Sequence, residues 1–166
     1  MSSKTIIIGG VILLLIFLIG SYFLLAGGGK PEVKVASYTS NDKEKPVAEV
    51  KTTLIDIGTI KVSDQKEVNF TIKNTGTKPL QLSNMSTSCH CTHGQFIYQG
   101  KTSDEYGMSN SSDVLPEIAP NTEATIKAIY RPYEMPVYGP VERELYLNTN
   151  DPDKPKLVLQ VKAVVQ

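Results

Sequence analysis

Tryptophan is absent from this chain of 166 residues, and cysteine and histidine occur only twice each. Both histidines stand beside the cysteines, which argues against a Ser-His-Asp triad. No P-loop or Gly-rich dinucleotide fingerprint occurs either, so no enzymatic activity is expected. Charge of one sign is also missing. The 17 basic and 17 acidic residues cancel, and no basic block stands out, which argues against nucleic acid as a partner. There is no second, distant cysteine pair of the kind that makes a zinc ribbon convincing. No cysteine follows the N-terminal apolar run, so a lipoprotein anchor is excluded.

One long apolar run is present. Residues 6–26, IIIGGVILLLIFLIGSYFLLA, carry no charge and no polar face. At ~1.5 Å per residue the run matches a hydrocarbon core of roughly 30 Å, and it exceeds the apolar region of a signal peptide. It predicts an uncleaved single-pass transmembrane helix after a short tail, residues 1–5. The basic residues on the two sides, Lys4 against Lys30, Lys34, Lys43 and Lys45, would by simple count keep the following domain in the cytoplasm. That rule weakens when a long domain follows, and the domain is placed outside. Residues 27–49 open with Gly27-Gly28-Gly29-Lys30-Pro31 and continue polar and unpatterned, which predicts a flexible linker.

From residue 50 to 166 the pattern has period two. Val68, Phe70 and Ile72 alternate with polar residues, as do Ala124, Ile126, Ala128 and Tyr130, and later Leu157, Leu159, Val161, Ala163 and Val165. Turn residues intervene at Asn74-Thr75-Gly76 and Asn148–Pro152, and a polar stretch at 100–113 predicts a surface loop. About seven short strands without an amphipathic helix predict an all-β fold. It is an immunoglobulin-like antiparallel β-sandwich preceded by the transmembrane helix. Asp151 and Asp153 read as turn-capping carboxylates rather than a calcium site. Tyr130, Tyr133 and Tyr138, among prolines, read as packing residues rather than a contact patch.

The chemistry concentrates in Ser88-Cys89-His90-Cys91-Thr92-His93. Thiolate and imidazole together suit copper or zinc, which nominates Cys89, Cys91 and His93 as metal ligands with His90 as an alternative. In a flat strand the two cysteine Cα atoms would stand roughly 6.6 Å apart. A turn or bulge would bring the sulfurs together better. The same residues also admit a thiol/disulfide redox tip, since paired cysteines oxidise outside the cytoplasm. A plain protein-interaction scaffold is the third reading.

Several phrases resemble the DUF1573 family of bacterial exported proteins. They are Ile55–Ile60, Phe70–Gly76, Lys78-Pro79-Leu80, Ser86–Thr92, Ile118-Ala119-Pro120 and Thr149–Pro152. Ser-Cys-x-Cys-Thr is the most specific of them. The resemblance covers roughly residues 50–166. It implies an immunoglobulin-like sandwich of abnormal-spindle/Hydin type, export and membrane attachment, and it implies no enzymatic activity. The family usually has glycine between the cysteines, where this chain has His90. His93 and a longer 100–113 loop are further departures.

The combined expectation is a membrane-anchored extracytoplasmic binding domain with a Cys-His-Cys-x-His copper or zinc site. Its partners would be the membrane and a protein.

Overall fold

A computed structural model describes residues 3–26, 35–109 and 113–166. The tail Met1-Ser2, the glycine-led start of the expected linker at 27–34, and residues 110–112 of the expected loop lie outside the described residues. The chain divides into two compact units, Met1–Lys34 and Val35–Gln166.

The first unit is one helix, α1, Ser3–Ala26, of 24 residues. Its large apolar side chains between Ile7 and Tyr22 are exposed on every face. Among the described residues no helix is long and apolar enough to cross a membrane.

Among the described residues the second unit is a sandwich of two sheets built from nine strands. These are β1 Ala48–Val50, β2 Leu54–Ile60, β3 Lys66–Asn74, β4 Leu82–Thr87, β5 Thr92–Tyr98, β6 Lys101–Thr102, β7 Glu123–Tyr130, β8 Gly139–Thr149 and β9 Lys156–Val165. One sheet runs β1-β3-β7-β5-β6 and the other β2-β9-β8-β4. The period-two apolar residues meet between them: Phe70, Ile72, Phe96, Ile126, Leu145, Leu147 and Leu159 are all almost fully buried in one core.

Three expectations change. First, the strands number nine rather than about seven, because β1 and β6 are too short to show a period. Second, the sandwich is not wholly antiparallel. β2 pairs parallel with β9, with a register shift between Asp56 and Thr59. Third, residues 35–47 are not a free spacer. Ala36 N donates to Gln81 Oε1 at 2.7 Å, Thr77 N to Lys45 O at 3.0 Å and Thr75 N to Val47 O at 2.9 Å. The domain therefore begins at Val35.

Three buried polar residues hold that strap. Asn74 uses both ends of its amide: Nδ2 donates to Lys78 O and Ile118 O, and Oδ1 accepts from Gly76 N and Val47 N. Asp151 accepts from Ala48 N and Asp153 N, and Asn150 Oδ1 accepts from Gln81 N. The Asn-Thr-Gly and Asn-Asp-Pro phrases are thus loop clamps, and Asp151 is the capping carboxylate anticipated for that turn. Asp153 pairs with Lys45 at 2.6 Å. All these contacts lie at one end of the sandwich, where β3 and β8 finish and β4 and β9 begin.

Candidate functional site

The opposite end holds the cysteines. β4 ends at Thr87 in one sheet and β5 begins at Thr92 in the other, so residues 88–91 carry the chain across the sandwich. Four residues must cross the ~10 Å between sheets and reverse direction. Ser88 fastens the crossing to β8: its N–H donates to Glu144 O and its Oγ accepts from Glu144 N, both at 2.9 Å. Thr87 Oγ1 donates to Cys89 O at 2.9 Å, and Arg131 N donates to Cys91 O at 2.8 Å.

Cys89 and Cys91 are joined in a disulfide with their Cα atoms 5.3 Å apart. That spacing is a turn, as the sequence argument required for the sulfurs to meet. Cys89 is 6% exposed and Cys91 fully buried. With Ile60, Tyr130, Val141, Ala163 and Val165 they form a second apolar cluster, separate from the main core. The Thr92 hydroxyl stands 3.3 Å from Cys89 Sγ and 4.0 Å from Cys91 Sγ. His90 is exposed. It is not among the residues with positive φ, which are Asn84, Gln99 and Asn121 apart from glycines, so a histidine fits where the family uses glycine.

The expected convergence of Cys89, Cys91 and His93 is not formed. The sulfurs are bonded to each other and offer no thiolate, while His90 faces solvent. His93 is committed elsewhere: Nε2 donates to Glu134 Oε2 at 2.7 Å, and Nδ1 lies 3.8 Å from Glu105 Oε2. The two carboxylates address opposite ring nitrogens, so the imidazole bridges them and they do not surround one point. Among the described residues no group of three or more His, Cys, Asp or Glu is placed to hold a metal ion.

Nothing in the sequence pointed to the residues around His93. Arg131 forks onto Glu105, with Nη1–Oε2 and Nη2–Oε1 both 2.8 Å, and its Nε donates to Gln65 Oε1 at 3.0 Å. The Arg131 hydrogen bonds hold the Glu105 carboxyl below the usual range against the opposing effect of burial. In turn Glu105 raises Arg131. Gln65, His93, Glu105 and Arg131 share no spacing that a periodicity could detect.

Beside this network the β7–β8 connection exposes Tyr133, Met135, Val137 and Tyr138, at 47%, 48%, 40% and 68%. Tyr130 packs as expected, but Tyr133 and Tyr138 do not. Two prolines, Pro132 and Pro136, stiffen the connection, and a 3₁₀ turn, Pro132–Glu134, sets its start.

The family described as "Protein of unknown function (DUF1573)" matches residues 48–107. The match covers the clamp at Asn74 and the cysteine turn and stops short of the 118–120 and 149–152 phrases. No curated protein matches the chain. Among solved structures, a protein of unknown function from Porphyromonas gingivalis W83 is 19% identical with a TM-score of 0.57. The alignment covers 74% of this chain and 48% of that one, so the chain spans about half of that protein's length. A family 123 glycoside hydrolase from Clostridium perfringens is 6% identical, TM-score 0.50, over 73% of this chain and 27% of that one. The PapD-like domain 7 of human CEP192 is 11% identical, TM-score 0.49, over 83% and 98%. At these identities the likeness shows the fold alone.

Proposed function

We propose, from the match of residues 48–107 to the DUF1573 family model, a membrane-anchored, extracytoplasmic, non-catalytic binding domain. Its partner is a protein, engaged at the cystine end. The observation that carries this reading is the buried Cys89–Cys91 disulfide at the end opposite the strap. Disulfides form and persist in oxidising compartments, which supports a domain outside the cytoplasm. The strap of residues 35–47 packs at the other end of the sandwich.

The anchor reading is supported by the uncharged 6–26 apolar run of the sequence. The binding role is supported by Tyr133, Met135, Val137 and Tyr138. Aromatic residues and Met are enriched in protein interfaces, and here they sit on a connection already stiffened by prolines and by Glu134–His93.

The test is made in cells expressing the chain. Alkaline extraction should leave it in the membrane, and protease added to spheroplasts should reach the domain. Thiol alkylation without reductant should label neither cysteine. A domain protected from external protease, with both thiols free, overturns the assignment.

A further inference from the structure

Two buried hydrogen-bond donors, one in the cystine cluster and one against it through an aromatic ring, have no partner among the described residues. Thr92 and Tyr130 are cross-strand partners of β5 and β7, at the strand ends next to Cys91. Tyr130 is 1% exposed, packs in the same cluster as both sulfurs, and its hydroxyl has no partner among the described residues. Arg143 follows the inward-facing Val141 on β8, and its guanidinium carbon lies 5.9 Å from the Tyr130 ring centroid. Arg143 Nε is buried and has no partner among the described residues, while Nη1 donates to Glu142 O at 3.3 Å. No carboxylate among the described residues pairs with it. Arg143 covering the ring as a packing side chain accounts for its stem. It leaves a buried hydroxyl and a buried guanidinium N–H orphaned, which native folds seldom tolerate.

A disulfide sulfur is a poor acceptor. A thiolate is a strong one, and a nearby cation favours it. We propose that Cys89–Cys91 is an exchangeable thiol–disulfide site, with Tyr130, Arg143 and Thr92 as positioning residues for its reduced form and a thiol as its substrate.

The step balances. An external thiolate attacks Cys89 Sγ, the more exposed sulfur. A bond forms between the two, the Cys89–Cys91 bond breaks, and the electron pair leaves on Cys91 Sγ. That thiolate is generated in the cluster that holds Tyr130, whose ring Arg143 covers. A second external thiolate attacks the outer sulfur of the mixed disulfide, and Cys89 leaves as a thiolate within reach of the Thr92 hydroxyl. Two external thiols are oxidised to one disulfide, and their protons pass to the two reduced cysteines. The inference is independent of the anchor and of any protein partner.

The test equilibrates the full chain with reduced and oxidised glutathione and counts thiols by alkylation and mass. Wild type should exchange while its β-sheet circular dichroism is intact. Tyr130→Phe removes one donor and should shift the equilibrium toward the disulfide about tenfold, the worth of a hydrogen bond to a charged group; that is roughly 30 mV. Arg143→Gln should shift it the same way and Arg143→Lys should largely restore it. Ultraviolet titration should show thiolate forming at higher pH in Tyr130→Phe and Arg143→Gln, a change that packing alone would not produce. If Tyr130→Phe fails to fold, the Arg143 pair decides. Reduction only where the fold is lost, or variants with the wild-type equilibrium, would overturn the proposal.

Discussion

Arg131 and Glu105 form a two-pronged ion pair, guanidinium to carboxylate, with both N–O distances at 2.8 Å. The pair joins the segment after β6 to the end of β7 and sets the carboxylate against His93. Fork geometry adds direction to a charge contact, and lysine cannot reproduce it.

Acid should dissolve this pair. Hydrogen bonds from Arg131 lower the Glu105 pKa in the folded state. Its contribution is therefore present above the unfolded carboxylate value of ~4.3 and is lost as pH falls through the folded value. Glu105→Gln should cost about 1 kcal/mol at pH 7, the upper end for a surface pair, and much less at an acid pH below the folded value. Urea unfolding of both proteins at the two pH values checks it. An equal cost at both would assign the effect to packing.

Asn74 should be among the most sensitive polar positions. It is fully buried, and its side chain makes four hydrogen bonds to backbone groups. Asn74→Ala should destabilise by about 3 kcal/mol by orphaning several of them. Asn74→Asp should be no better, because a carboxylate cannot donate to Lys78 O and Ile118 O. Chemical denaturation of both variants measures this, and a loss within ~0.5 kcal/mol would refute the clamp.

Gly76 should resist even alanine. A Cβ there would stand 2.3 Å from Lys45 O, 2.5 Å from Val47 N and 2.7 Å from Pro46 C, all backbone. Gly76→Ala should push the strap away and break the bonds from Thr75 and Thr77 to it. Hydrogen exchange at those two amides should accelerate at least tenfold while the amides of β7 and β8 stay protected. Unchanged exchange would mean the strap adapts.

Metal content should follow the thiol state. With the bridge closed, the chain should keep no stoichiometric copper or zinc after dialysis, by elemental analysis. One equivalent retained by the oxidised chain and lost in Cys91→Ser would restore the Cys89, Cys91 and His93 ligand set. Reduction first, then the same measurement, separates a site that needs free thiols from none.

Local rules made much of the sandwich legible. Alternation at 68–72, 124–130 and 157–165 marked strands because each buries one face, and burial writes a period of two into the chain. Asn74-Thr75-Gly76 and Asn150-Asp151-Pro152 announced turns because their side chains bond nearby backbone. The crowding of Cys89 and Cys91 marked the turn that bridges the sheets. β1 and β6 are too short to repeat a period. The parallel pairing of β2 with β9 is a contact between distant segments.

The sequence by itself determined the apolar 6–26 run, the β periodicity and the closeness of the two cysteines, since each depends on neighbours along the chain. Only the tertiary structure decided that the sulfurs pair with each other, that His93 bridges Glu134 and Glu105, and that Tyr130 packs in the cystine cluster with Arg143 over its ring. Those relationships join residues from different strands, and packing two sheets face to face brings them together where no local spacing records it.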